Sequence, residues 1–142
     1  IFNRGSLAKT LPERRIKVLK ENKGYFDPSG QNIIGPIGTN PCGEIILQSK
    51  QFCNLSEVVA RSHDTEKTLM NKISIATILG TYQASLTNFP YLSKEWSENC
   101  KSETLLGVSI TGQWDSEVVR NPKVLARLKD EAIKINKEYF LI

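Results

Sequence analysis

The sequence predicts an α/β fold in which parallel strands are covered by helices. Two apolar segments with strand-forming residues, 52–59 and 105–110, are separated by an amphipathic helical pattern over 64–86, and a second helical pattern occupies 121–140. Alternating strands and helices are typical of parallel sheets, because each crossover between parallel strands must pass over a face of the sheet. The 142 residues, of which 39% are hydrophobic, are enough for the core of one domain.

The first half of the chain is predicted to contain a helix, a long loop and two short strands. Residues 6–22 carry apolar residues at helical spacings among many charges, which favours a helix. Residues 23–41 are rich in Gly, Pro, Asn and Ser and indicate a loop. The segments 44–47 and 52–59 contain β-forming residues and are separated by the polar turn 48–51.

The second half begins with the longest predicted helix. Asp64 is a good N-cap for a helix that runs to about Leu86. Its predicted buried stripe consists of Leu69, Ile73, Ala76, Leu79 and Tyr82. A shorter helix is expected around Trp96, before the buried strand 105–110.

The last predicted helix, 121–140, has a recognisable start. Asn121 can cap it, and Pro122 suits the first turn, where a backbone N–H is not needed. Its predicted apolar stripe consists of Val124, Leu128, Ala132, Ile135 and Tyr139.

Composition excludes several classes of function. The net charge of +4 is spread along the chain and forms no basic cluster interleaved with aromatics, so we expect no nucleic-acid binding. No apolar stretch approaches the roughly 18 residues of a membrane span, and no signal peptide is visible, which predicts a cytoplasmic protein. Three cysteines and one histidine are too few and too dispersed for a disulfide scaffold or a structural metal site.

The two ends of the sequence lead us to expect an internal piece of a longer polypeptide. The chain starts with Ile1 rather than Met, and its last four residues, 139–142, are all apolar. A natural terminus is more often polar and frayed.

A short segment, Asn40-Pro41-Cys42-Gly43-Glu44, carries the candidate chemistry. In an extended segment, side chains at alternate positions point to one face, so an amide, a thiol and a carboxylate would share one cavity. Pro41 biases the preceding residue toward the extended region, and Gly43 allows a tight bend. A second thiol, Cys53, follows nearby. The pattern predicts a stiff finger with polar groups at its tip and a reducing thiol beside it.

At these residues the sequence resembles the catalytic large chain of ribonucleotide reductases. The blocks that carry the resemblance are 38–45, with Cys42, 52–58, with Cys53, and 106–112, Leu-Gly-Val-Ser-Ile-Thr-Gly. They are most similar to the adenosylcobalamin-dependent (class II) ribonucleoside-triphosphate reductases. The resemblance covers nearly the whole chain but only the middle of such an enzyme. It implies that residues 1–142 form the central part of a ten-stranded α/β barrel, whose finger loop carries the radical cysteine.

The resemblance also implies a role for each candidate residue. Cys42 would hold a transient thiyl radical and abstract the 3′ hydrogen of the ribose, and Glu44 would be the general base on the 3′ hydroxyl. Asn40 would orient the sugar. Cys53 would be one of two thiols that reduce the 2′ position and end as a disulfide. The product would be a 2′-deoxyribonucleotide, a precursor for DNA replication.

The implied cofactor and partners rest on the resemblance alone. They are adenosylcobalamin, a ribonucleotide substrate, a thioredoxin-type reductant, and a nucleotide effector bound outside this chain. The sequence departs from the family because no cysteine precedes Cys42, although the partner thiol of Cys53 lies on an upstream strand in relatives. Cys100 matches no family motif and is expected to be an ordinary surface or half-buried cysteine. By itself the chain is expected to be inactive.

Two alternatives stay open. The chain could belong to a class I ribonucleoside-diphosphate reductase, whose radical arrives from a separate metal-containing subunit. It could also belong to a non-catalytic nucleotide-binding paralogue that kept the finger sequence. Structural roles remain for individual residues as well: a small buried hydrophobe for Cys42, a surface carboxylate for Glu44, a turn residue for Asn40, and strand packing for Cys53.

Overall fold

A computed structural model describes residues 37–39, 45–52 and 54–140 of the chain. In chain order its elements are β1 (Ile37–Thr39), β2 (Ile46–Gln48), β3 (Asn54–Val59), α1 (Glu66–Ser85), α2 (Lys94–Glu103), β4 (Leu106–Thr111), α3 (Glu117–Arg120) and α4 (Pro122–Phe140). They fall into two compact units. The turn–helix unit contains the described residues up to 52 together with 89–103. The sheet–helix unit contains 54–88 and 104–140.

The sheet–helix unit is built on a parallel pair of strands. β3 and β4 pair in parallel from Asn54↔Leu106 through Val59↔Thr111. Parallel strands cannot be joined by a tight turn, and α1 lies in the connection between them. The predicted α/β class with parallel strands is therefore confirmed for the described residues. Ten strands closed into a barrel are not seen, since these residues form two sheets of two strands each.

Helix α1 starts one residue later than predicted. The hydroxyl of Thr65 accepts a hydrogen bond from the Thr68 backbone N–H, and the Thr68 hydroxyl accepts one from the Thr65 backbone N–H. This reciprocal capping box makes Thr65 the N-cap. Asp64 is instead buried just before the helix, where its carboxylate accepts hydrogen bonds from the backbone N–H of Arg61 and the ammonium of Lys72.

The buried face of α1 also differs from the predicted stripe. Leu69, Ile73 and Ala76 are buried as expected, but Leu79 is 63% exposed and Tyr82 is exposed too. The second half of the helix buries small residues instead: Thr77, Gly80, Thr81 and Ala84. Small side chains let α1 approach the sheet closely. A Cβ added at Gly80 would lie only 2.2 Å from a methyl carbon of Leu106.

The core of this unit lies between the sheet, α1 and α4. Its buried residues are Val58, Ala60, Leu69, Ile73, Ala76, Val119, Val124 and Leu128. The predicted stripe of α4 is confirmed at its first two positions, whereas Tyr139 is exposed. Asn121 caps α4 as predicted, because its side-chain oxygen accepts from the backbone N–H of Lys123 at 3.0 Å. The short helix α3 was not predicted.

The turn–helix unit contains an antiparallel strand pair and one helix. β1 pairs with β2 through Ile37↔Gln48, Gly38↔Leu47 and Thr39↔Ile46. The loop predicted over 23–41 therefore contains a short strand, and the strand predicted over 44–47 is observed at Ile46–Gln48. Helix α2 confirms the helix expected around Trp96. Among the helices of the described ranges, none is long and apolar enough to cross a membrane.

Candidate functional site

The predicted site residues themselves lie outside the described part of the chain. Asn40, Cys42, Glu44 and Cys53 are not among residues 37–39, 45–52 and 54–140. The structure does describe the segments on both sides of them. Those segments are β1 and β2, which flank residues 40–45, and the turn 48–52, which leads to Cys53.

The strands that flank the candidate finger pair with each other. Thr39 and Ile46 are partners in the antiparallel ladder, so the backbone enters and leaves residues 40–45 at neighbouring positions. Partners in an antiparallel pair have Cα atoms about 4.5–5.5 Å apart. β1 and β2 are therefore paired strands on the two sides of residues 40–45, a pairing that sequence patterning did not predict because 23–41 contains few apolar residues.

The turn after β2 is attached to α2 by a buried amide. Gln51, only 8% exposed, accepts a hydrogen bond from the Gln48 backbone N–H at 2.7 Å through Oε1. Its Nε2 donates to the Asn99 carbonyl at 3.0 Å and to a carboxylate oxygen of Glu103 at 2.5 Å. Asn99 in turn donates to the Ser49 carbonyl at 2.8 Å. We call these five residues the Gln51 network.

Aromatic packing secures the next residue of the same segment. The ring of Phe52 stacks on Trp96 of α2 with centroids 4.8 Å apart and meets Phe89 edge-on at 5.0 Å. Offset-stacked and edge-to-face pairs are the favoured arrangements of aromatic rings. An ion pair between Lys50 and Glu95 adds a contact at the surface. Residues 48–52 are therefore held on α2 by polar and aromatic contacts together.

Cys100 is more buried than predicted. The sequence indicated a surface or half-buried cysteine, but the residue is 8% exposed on α2 as a free thiol. The prediction was wrong because the polar neighbours of Cys100 in sequence point to other sides of the helix.

The strand that follows Cys53, β3, alternates along its length between more exposed and less exposed residues. On β3, Leu55, Glu57 and Val59 are exposed, while Val58 belongs to the core with α1. A shallow groove of about 510 Å³ runs beside this strand, with Arg61 and Lys72 in its lining. The groove belongs to the sheet–helix unit alone, and we assign no ligand to it.

Electrostatic contacts fix the start of α1. The hydrogen bond from Lys72, at 2.6 Å, lowers the pKa of the Asp64 carboxyl from 3.8 to about 2, with smaller contributions from Thr68 and the Arg61 backbone. Arg127 of α4 holds Glu66 through two hydrogen bonds of 2.5 and 2.7 Å. This pair lowers the pKa of Glu66 and raises that of Arg127.

In the described ranges, no group of three or more His, Cys, Asp or Glu side chains is placed to hold a metal ion.

Sequence reasoning missed Gln51, Asn99 and Glu103. Gln51 falls in a polar tetrapeptide that has the composition of a solvated turn, and Glu103 lies 52 positions further along the chain. A polar residue gives no periodic signal when it is buried, so only the structure reveals this network.

Comparison with known proteins adds no relative: no family model, no curated protein and no solved structure matches the chain.

Proposed function

We propose that this chain is the central part of the catalytic barrel of a class II ribonucleotide reductase, which converts ribonucleoside triphosphates into 2′-deoxyribonucleotides. The proposal starts from the resemblance of the blocks around Cys42 and Cys53. The structural observation that supports it best is the pairing of β1 with β2 on the two sides of residues 40–45. A finger requires a chain that leaves and returns at neighbouring positions, and the pairing of Thr39 with Ile46 is compatible with this.

The proposed reaction uses the side chains of Asn40, Cys42 and Glu44. A thiyl radical on Cys42 takes the hydrogen atom from C3′, and Glu44 takes the proton of the 3′ hydroxyl while Asn40 orients the sugar. The 2′ hydroxyl then leaves as water. Cys53 and a second thiol supply two electrons and two hydrogens and become a disulfide, and Cys42 returns its hydrogen atom to C3′. One ribonucleotide and one dithiol give one deoxyribonucleotide, one disulfide and one water.

Regeneration and initiation lie outside these residues. A thioredoxin-type dithiol would reduce the disulfide by thiol exchange before the next turnover. Adenosylcobalamin would supply the initial radical when bound. It is proposed on the resemblance alone.

The sheet–helix unit supports the finer proposal of a barrel. Within the described residues β3 and β4 pair only with each other, which leaves an open edge on each side. Helix α1 and its C-cap residue also carry an outward apolar stripe, and each member of it is at least 60% exposed: Ile75, Leu79, Tyr82 and Leu86. Its spacings of four, three and four residues put the stripe on one side of the helix. In a barrel, neighbouring strand–helix units of the same enzyme would pair with these edges and cover the stripe.

The decisive assay measures deoxynucleotide formation by the enzyme that contains this chain. It should convert ribonucleoside triphosphate when given adenosylcobalamin and a dithiol and no further subunit. Activity only with a separate metal-containing subunit would favour the class I alternative. No deoxynucleotide under either condition would favour the non-catalytic paralogue and would overturn the proposal.

A variant of the second thiol tests its separate role. Cys53→Ser should stop thioredoxin-linked turnover, because the disulfide cannot form, but should still allow hydrogen to be abstracted from C3′. Release of tritium from substrate labelled at C3′ reports that abstraction. Steady thioredoxin-linked turnover by Cys53→Ser would show that Cys53 is not the reductant.

A further inference from the structure

The segment between the candidate finger and Cys53 is attached to α2 at several points. Gln51 contacts Glu103 and the Asn99 carbonyl, Asn99 contacts the Ser49 carbonyl, and Phe52 stacks on Trp96. Gln51 and Glu103 are 8% and 6% exposed. Cys53 is the next residue after Phe52, so these contacts end one peptide bond before the proposed reducing thiol.

The hydrogen bonds of Gln51 leave this side chain little freedom. A primary amide has two N–H donors and one carbonyl acceptor. Both ends of the amide are engaged: Nε2 donates to the Asn99 carbonyl and to the Glu103 carboxylate, and Oε1 accepts from the backbone N–H of Gln48. The bond to the carboxylate can be charge-assisted, which favours a short and directional contact. One side chain therefore fixes the turn to the helix in a single arrangement.

Aromatic packing alone would allow the turn to take up several positions on α2. Apolar contacts are not directional, so Phe52 could slide on Trp96 while most of the burial was kept. Buried polar groups can instead select one conformation among several, although they add little net stability. A buried carboxylate facing a buried amide is costly unless their geometry is satisfied, and here the two atoms lie 2.5 Å apart.

We propose that Gln51 is a positioning residue for Cys53. This inference rests on the proposed function of Cys53 as a reducing thiol. The network and the aromatic stack fix residues 48–52 on α2, so the chain reaches the peptide of the thiol from one defined position. Thiol chemistry depends on such placement, because a displacement of about 1 Å can slow a reaction by about 100-fold.

Four variants separate positioning from folding. Gln51→Met keeps the length of the side chain and removes its hydrogen bonds, whereas Glu103→Gln keeps an acceptor for Gln51. Gln51→Met alone leaves the buried Glu103 carboxylate without the Gln51 amide, which can destabilise the fold. The double variant Gln51→Met/Glu103→Met removes both polar groups, so it should fold even if Gln51→Met does not. Gln113→Met is the matched control, because Gln113 is exposed and lies in the sheet–helix unit.

The first readout is the rate at which iodoacetamide modifies each cysteine of the chain, measured by peptide mass mapping. Gln51→Met and the double variant should raise the rate at Cys53 by about fivefold or more, because a loosened segment exposes its thiol more often. Glu103→Gln and Gln113→Met should stay within about twofold of the wild type. Unchanged rates at Cys53, or an equal rise at Cys42 and Cys53, would overturn the inference.

The second readout is the kinetics of the enzyme that contains this chain, with a dithiol reductant. The double variant should lose about 10- to 100-fold in kcat while KM for the nucleotide stays the same. The single variant Glu103→Gln should keep most of the wild-type kcat, because Gln51 retains its acceptor. Active wild type with an equally active double variant overturns the inference alone. A wild type that forms no deoxynucleotide overturns the proposed function first, whatever the labelling rates are.

Discussion

Each of the two units is stabilised internally by a different kind of contact. In the sheet–helix unit, apolar side chains of two strands and two long helices form one continuous buried cluster. In the turn–helix unit, the segment 48–52 is held on α2 mainly by a buried amide–carboxylate network and an aromatic stack. Apolar packing gives stability and accepts small changes of geometry, whereas a polar network adds less stability but fixes positions. The candidate thiol Cys53 directly follows the second kind of structure in sequence, since the aromatic stack includes Phe52.

The largest effect should come from opening the apolar core. Leu69 is fully buried, and Leu69→Ala should lower the free energy of unfolding by about 2–5 kcal/mol, because it removes buried methyl groups and leaves a cavity. Urea unfolding measures the loss. Leu79→Ala on the same helix is the matched control and should change the free energy by about 0.5 kcal/mol or less. Similar losses from both variants would contradict the assignment of the buried face of α1.

A smaller effect should distinguish two close approaches within the sheet–helix unit. Gly112 has φ of +73°, and an added Cβ would lie 2.2 Å from the backbone oxygen of Ala60, which cannot move aside easily. Gly112→Ala should therefore cost about 1–3 kcal/mol. Gly80→Ala meets side-chain atoms alone, the terminal methyl of Leu106 at 2.2 Å and the Ser56 hydroxyl at 3.3 Å, which can shift, and Ala favours the helix by about 1 kcal/mol. We expect Gly80→Ala to lower the free energy of unfolding, measured with urea, by less than Gly112→Ala does. The reverse order would show that the contact with the Ala60 backbone does not limit the side chain at position 112.

The long, strongly patterned elements of the sheet–helix unit could be predicted from the sequence. The parallel strands, both long helices and the cap at Asn121 follow from periodicity and local chemistry. The start of α1 was placed one residue early because Asp64 and Thr65 are both good caps, and the choice depends on the distant partner Lys72. Leu79 was assigned to the core because hydrophobic patterns ignore small residues such as Gly80, which allow the closest packing.

The turn–helix unit was less accessible to prediction. Its strands are only three residues long, which is too short to show a period. Its main polar contact joins Gln51 to Glu103, which lies 52 positions further along the chain, and pattern analysis does not detect pairs so far apart in sequence. Of the candidate site, the sequence supplied the residue types and the resemblance, while the structure added the pairing of β1 with β2 and the network before Cys53.

The smallest expected effect concerns acid. The pKa of Asp64 is about 2 in the folded chain and 3.8 without its partners, so this carboxylate stabilises the fold above about pH 3.8, and the contribution is lost as pH falls toward 2. The urea midpoints of wild type and Asp64→Asn should therefore differ at about pH 6 and converge toward about pH 2.5. The exposed Asp115→Asn is the control. A difference that stays constant over this pH range would show that the contact with Lys72 does not titrate as described.

The central claim is that Cys42 carries the radical of a ribonucleotide reductase, and one pair of variants tests it directly. In the enzyme that contains this chain, deoxynucleotide formation from a labelled ribonucleoside triphosphate is measured for Cys42→Ser and for Cys100→Ser. A serine O–H bond is too strong to serve as the hydrogen carrier, so Cys42→Ser should form no deoxynucleotide while its urea unfolding stays close to that of the wild type. Cys100→Ser, which changes a buried thiol outside the proposed chemistry, should remain active. Substantial deoxynucleotide formation by Cys42→Ser would contradict the account.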